Sequence, residues 1–310
     1  MNTPSNAVPE SLAGVQAVVP AVTLETRPYY WSVRRELWEY RSIYLAPLAG
    51  AGVALFGFLF VLVHLPRTVR TAMALGPSLQ RDPLAQPYNF AAALIMGAAF
   101  LVSIFYSIDA LYGERRDRSI LFWKSLPVSD LTVVLAKACI PLLVLPVFAF
   151  LLTALTEVVM VLMSSAVLSA SGLSVSAYWS QLQPFRTLLM LLYHLVTAHM
   201  LWYAPLYAWL LLISAWARRA PFLWAALPPL AIHIFERIAF HTNYFTQFLK
   251  YRIDGGPQTV ANMRGDFPLD PSLHLMPGAF LASPGLWLGL AFAAIFLFAA
   301  ARLRRNREPT

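Results

Sequence analysis

The sequence predicts an all-α integral membrane protein with six spans and an amphipathic helix ahead of the first. Composition carries the first part of that reading: of 310 residues 59% are hydrophobic and 12% charged, with a mean hydropathy of +0.61, whereas soluble domains carry about 25% charged residues. Patterning carries the second. The apolar residues fall in runs long enough to cross a bilayer, and the Lys and Arg residues gather at the ends of those runs, where they set topology. The formal charge of +8 therefore reads as positive-inside bias, and nucleic-acid binding is excluded because no polar face collects the basic residues.

The first 27 residues lack a basic start followed by a sustained apolar core, since AVVPAV is interrupted by Pro20; the expectation is a flexible cytoplasmic tail with no cleaved signal peptide. Residues 28–42, PYYWSVRRELWEYRS, repeat apolar or aromatic positions at helical spacing, with Arg35, Glu36 and Glu39 on the other side. That is the pattern of a helix lying in the membrane interface. The tryptophans Trp31 and Trp38 suit the headgroup level.

Spans are expected at about 43–65, 89–112, 131–163, 187–216, 221–240 and 286–303, making 43–303 the transmembrane domain and 304–310 a basic cytoplasmic tail. Residues 66–88, rich in Pro and polar side chains, read as an external loop, and SSAVLSASGLSVSAYWSQLQPF as a second one. The third run is longer than a span needs, and Lys137 places its first turns in the cytoplasm; Pro141 and Pro146 are expected to kink it. The fifth run is interrupted by Pro228, Pro229, His233, Glu236 and Arg237. It is kept as a span because otherwise Arg302, Arg304, Arg305 and Arg307 fall outside. With six spans and both termini cytoplasmic, the cytoplasmic segments hold fourteen Lys and Arg and the external loops seven. The last external loop, 241–285, contains a candidate short amphipathic helix at Phe245–Ile253.

The segment between the second and third spans, 113–130, has five consecutive charged residues, Glu114, Arg115, Arg116, Asp117 and Arg118. One charge at the centre of a membrane helix costs roughly 2.5–3.5 kcal/mol, so this block lies outside the hydrocarbon. Glu114 and Arg118 stand four apart in the favourable order for a short helix. An apolar patch follows at Ile120–Trp123, Pro127 ends the helix, and Ser129 or Asp130 caps the next.

No P-loop, HExxH or GxSxG pattern occurs, and the single cysteine, Cys139, supports neither a disulfide framework nor a cysteine metal site. The chain is therefore read as no enzyme, with no cofactor of its own. Ionisable residues inside spans are the default functional candidates: Asp109, Glu157, His194, His199, His233, Glu236 and Arg237. Glu157 and Arg237 are a candidate ion pair. His194 and His199, about 140° apart on an ordinary helix, read as packing residues rather than a metal pair.

GERRDRSILFWKSLPVSD, followed by a helix with an early lysine, Lys137, resembles the cytoplasmic loop of ABC-2-type transporter permeases, over about 30 residues; many members carry Gly-Thr where this chain has Arg118-Ser119. The resemblance implies a type V exporter-like architecture in a bacterial cytoplasmic membrane. It further implies a dimer with a second copy or a related permease, and a separate ATP-binding subunit that carries ATP and Mg. It assigns Glu114, Arg115, Arg116, Asp117, Arg118, Phe122, Trp123 and Lys124 to the coupling element, and Arg34, Arg35, Glu36 and Trp38 to the connecting helix. Three other readings stand beside it. One is a secondary transporter using Glu157 or Glu236 as an ion site, another a membrane anchor for an ATPase, and the third a membrane enzyme acting through Asp254, Asp266 or Asp270.

Overall fold

The structure is a computed structural model that describes residues 27–74, 81–119, 128–253 and 277–306. Among these every regular element is helical. In order they are α1 (Pro28–Glu39), α2 (Ser42–Met73), α3 (Arg81–Arg116), α4 (Asp130–Cys139), a π segment (Ile140–Val144), α5 (Leu145–Ala170), α6 (Val175–Leu182) and α7 (Pro184–His194). A second π segment (Leu195–Trp202) leads to α8 (Ala204–Trp216), α9 (Pro221–Ala239), α10 (Tyr244–Ile253), α11 (Pro277–Leu281) and α12 (Pro284–Asn306).

Among the described residues five helices are long and apolar enough to cross a membrane, or six if the bent pair 175–202 and 204–216 is one span. The exterior agrees: Phe56, Phe60, Val63, Phe105, Leu151, Leu155 and Leu162 all stand outward, more than half exposed. Such a surface is stable against hydrocarbon and not against water. The chain is an all-α integral membrane protein.

Helix α3 lies at the centre and packs on α2, α5 and α8, while α12 packs along α8 and α4. One core, with Tyr106, Leu111, Val134, Leu145, Leu211 and Ala300, fills the end where α1 sits; a second, with Phe58, Tyr88, Met160, Leu168 and Tyr178, fills the other.

Several helix ends differ from the expectation. The loop foreseen over 66–88 is largely helix, because α2 continues past Pro66 to Met73. Val69 and Ala72 are buried in the second core, and that burial outweighs the local polarity. At 32 residues, α2 is about 48 Å long and overshoots the hydrocarbon.

The second foreseen loop is also structured. Helix α5 ends on Gly172 (φ +69) with Leu173 N donating to Leu168 O at 3.0 Å and Gly172 N to Ser169 O at 3.1 Å, a Schellman closure that glycine permits. Ser174 then caps α6, which buries Tyr178 completely.

Residues 130–170 run as one 41-residue span. Pro141, expected to kink it, instead lies in the π segment, whose wider turn accommodates the missing N–H. Pro146 falls in the first turn of α5, directly after the π segment. Helix α9 has no buried residue. Residues 1–26, 75–80, 120–127, 254–276 and 307–310 lie outside the described residues, and with them Phe122, Trp123, Lys124, Asp254, Asp266, Asp270 and Arg307.

Candidate functional site: a buried ionic junction

Pro28 starts α1, a position that uses its fixed φ and needs no donor. The helix sets Trp31 and Trp38 outward with Arg34 over both rings, 5.2 and 4.6 Å from their centroids. Its charged side, expected to face water, turns inward: Glu36 is 1% exposed. The reason is that α4 and the end of α3 present opposite charge to it.

Lys137 Nζ lies 2.9 and 3.0 Å from the two Glu36 carboxylate oxygens and 3.2 Å from Glu114 Oε1. Arg35 Nη2 donates to Glu36 Oε1 at 2.5 Å and to Glu114 Oε1 at 2.6 Å. Tyr106 Oη donates to Glu36 Oε2 at 2.8 Å. From the last helix, Arg304 reaches Glu114 Oε2 at 3.3 Å and also pairs with Asp130. Three cations thus face Glu36, Glu114 and Asp130, with half-exposed Glu39 3.6 Å from Arg35 at the rim. Burial pulls the Arg35 guanidinium down, but the Glu36 and Glu114 carboxylates outweigh it and hold Arg35 above its ordinary value. Burial first, then the charge of Glu36, keeps Glu39 above the usual carboxylate range.

Placement on the elements explains the convergence. Asp130 and Lys137 are seven apart on α4, two turns on one face. Ser129 takes the cap, accepting from Thr132 N at 3.1 Å, which leaves Asp130 free to meet Arg304. Glu114 is the third residue from the end of α3. It belongs to that helix rather than to a separate one, and it pairs with α1, α4 and α12 instead of with Arg118, which has left the helix at φ +56. Arg115, 3% exposed, turns the opposite way and donates to Ser214 O and, at 2.9 Å, to Ala217 O, closing the C-terminus of α8. Arg116 and Asp117 are exposed and paired with each other at 2.9 Å; Arg116 also reaches Asp109 at 3.7 Å.

Of the residues singled out from sequence, Arg35, Glu36 and Glu114 are therefore brought together. Arg34 and Trp38 sit on the outer side of α1, Arg115 closes α8, and Arg116, Asp117 and Arg118 form an exposed exit. Lys137, Asp130, Arg304 and Tyr106 are the members that sequence reasoning did not place here. The available signal was Lys137 itself, a cation among the apolar residues of DLTVVLAKAC that requires a counter-charge where it is buried.

Other intramembrane candidates resolve differently. Glu157 is 4% exposed, its Oε1 has no hydrogen-bond partner, and no ion pair joins it to Arg237. The Glu236 carboxylate caps α10, accepting from Tyr244 N at 2.6 Å, Phe245 N at 2.9 Å and Thr242 Oγ1 at 2.8 Å. His194 and His199 do share a face, with ring centroids 6.0 Å apart. The π segment is the cause, since its i→i+5 bonding aligns residues five apart. Among the described residues no cluster of three or more His, Cys, Asp or Glu side chains is arranged to hold a metal.

The junction offers no nucleophile, metal set or general base aimed at open space. Its chemistry is mechanical: balanced charges, withdrawn from solvent, fasten α1 to the ends of α3, α4 and α12. Separating any one of those helices would strand a buried charge.

Fold and site together define an all-α membrane protein with an ionic clamp at one end of the bundle. No family model, curated protein or solved structure matches the chain.

Proposed function

We propose that this chain is the transmembrane permease subunit of an ATP-driven ABC transporter of the ABC-2 type, exporting a lipid, peptide or drug-like molecule from a bacterial cytoplasm. The ionic junction is the observation that carries this reading. It joins the interfacial helix to the last turn of α3 and the first turns of α4, the two helices that residues 120–127 connect. A push on that connection moves α1, α3, α4 and α12 as a unit, because no member can leave without exposing its partner's charge. Nothing in the sequence binds ATP through a P-loop, so the energy source is a partner ATPase with ATP and Mg, docking at the exposed exit Arg116–Arg118 and the segment beyond it. A second copy or a related permease completes the pathway. Copurification of the chain from its own membranes with a P-loop ATPase, followed by ATP-dependent transport in vesicles holding both, tests the reading; a chain that retains no ATPase removes it.

Glu157 favours a second reading, a stand-alone secondary transporter, because a buried carboxyl oxygen without a partner in a span is a default ion or substrate contact. Gradient-driven uptake by vesicles holding this chain alone, lost in Glu157→Gln, would select it.

A further inference from the structure

The turn between α8 and α9 encloses an open cleft of about 580 Å³ lined by Trp216, Ala217, Arg218, Arg219 and Trp224. This volume is in the range of small-molecule sites. It lies at the junction's end of the bundle, since Arg115, next to Glu114, donates to the carbonyls of Ser214 and of Ala217, the latter a lining residue. From the lining and the turn, we infer that this cleft binds a phosphate group at the depth of the lipid headgroups, the phosphate of an anionic phospholipid.

The charge is in place and uncommitted. Arg218 and Arg219 are exposed and belong to none of the ion pairs formed among the described residues. Two guanidinium groups supply the planar, bidentate donors that phosphate oxygens take best. Apolar walls stand beside them: Trp216 and Trp224 meet edge to face, centroids 4.8 Å apart and planes at 90°. Indoles at a span end sit at the headgroup level, so the cleft spans the boundary between phosphate and glycerol.

The turn is also held in shape. Ala220 adopts φ +46 and Pro221 opens α9, while Trp209 Nε1 donates across to Ala225 O at 3.4 Å. The first turn of α9 lies between Arg219 and Trp224, adding the positive end of a 19-residue helix. Basic pockets between membrane helices on the positively charged side recognise anionic headgroups in this way.

The test uses the full chain in nanodiscs of phosphatidylcholine, titrated with phosphatidylglycerol and read by thermal stabilisation. Arg218→Gln/Arg219→Gln should lose at least about tenfold in apparent affinity relative to Arg116→Gln/Arg118→Gln, a control with the same change in net charge at the same end. Arg218→Lys/Arg219→Lys, which keeps the charge and loses the fork, should also weaken binding. Equal losses in cleft and control variants would overturn the site, leaving surface electrostatics. Oleate binding as tightly as phosphatidylglycerol, with the same arginine dependence, would overturn the phosphate. Stabilisation by glycerol 3-phosphate in phosphatidylcholine alone, abolished in the cleft variant, would uphold the phosphate site and identify its source as soluble.

Discussion

Lys137 shows why single side chains govern this molecule. Its ammonium is 1% exposed and bridges Glu36 and Glu114, so Lys137→Met strands excess negative charge and should cost about 3–5 kcal/mol. Glu36→Met/Lys137→Met removes both ends and leaves Arg35 with Glu114, so most of that loss should return. Denaturant unfolding in micelles measures the cycle, and a double variant no better than the single would refute a charge-pair role. Gly289 is a second such position. A Cβ there would stand 1.6 Å from Arg252 Nη2, whose guanidinium lies 4.3 Å over Trp202 and bonds Gly285 O at 3.1 Å. Gly289→Ala should therefore cost about 1–3 kcal/mol by expelling the arginine. The same change in an Arg252→Ala background should cost far less.

Among the elements, α8 and α9 are both rich in apolar residues and are opposites in burial. Leu211 on α8 is fully buried and Leu230 on α9 is 50% exposed. Leu211→Ala should cost about 2–5 kcal/mol through the cavity it leaves, and Leu230→Ala less than about 0.5 kcal/mol. Comparable melting shifts for the two would show that α9 is covered in the assembled protein. Hydropathy made the spans legible, because it responds to about twenty residues at once. It could not place the ends of α2 and α5, where burial of Val69, Ala72 and Leu168 against distant partners decides the length. Nor could it foresee the π segment that puts His194 beside His199. Periodicity assumes 3.6 residues per turn, and π bonding departs from it without any residue that announces the change.

At the scale of the whole molecule, the charged stretch 114–118 divides into two parts with different work. Arg35, Glu36 and Glu114 were visible in the sequence as charges next to spans, but the three cations around Glu114 lie 23, 79 and 190 residues from it along the chain, and one chain read alone has no means to pair them. Glu114 and Arg115 hold the bundle's end together, while Arg116, Asp117 and Arg118 face outward. A docking role and a structural role thus belong to adjacent residues and can be separated. Glu114→Lys puts a fourth cation among Arg35, Lys137 and Arg304 and should unfold or mislocalise the protein, at a cost of about 3–5 kcal/mol. Arg116→Glu/Arg118→Glu touches only exposed side chains, so insertion and melting temperature should stay near the parent's. If an ATPase docks at this exit, that second variant should lose copurification with it and lose transport while remaining folded. Full copurification and transport by the folded Arg116→Glu/Arg118→Glu protein would place the energy-coupling surface elsewhere, and the ionic junction would then stand as a clamp that holds the interfacial helix and nothing more.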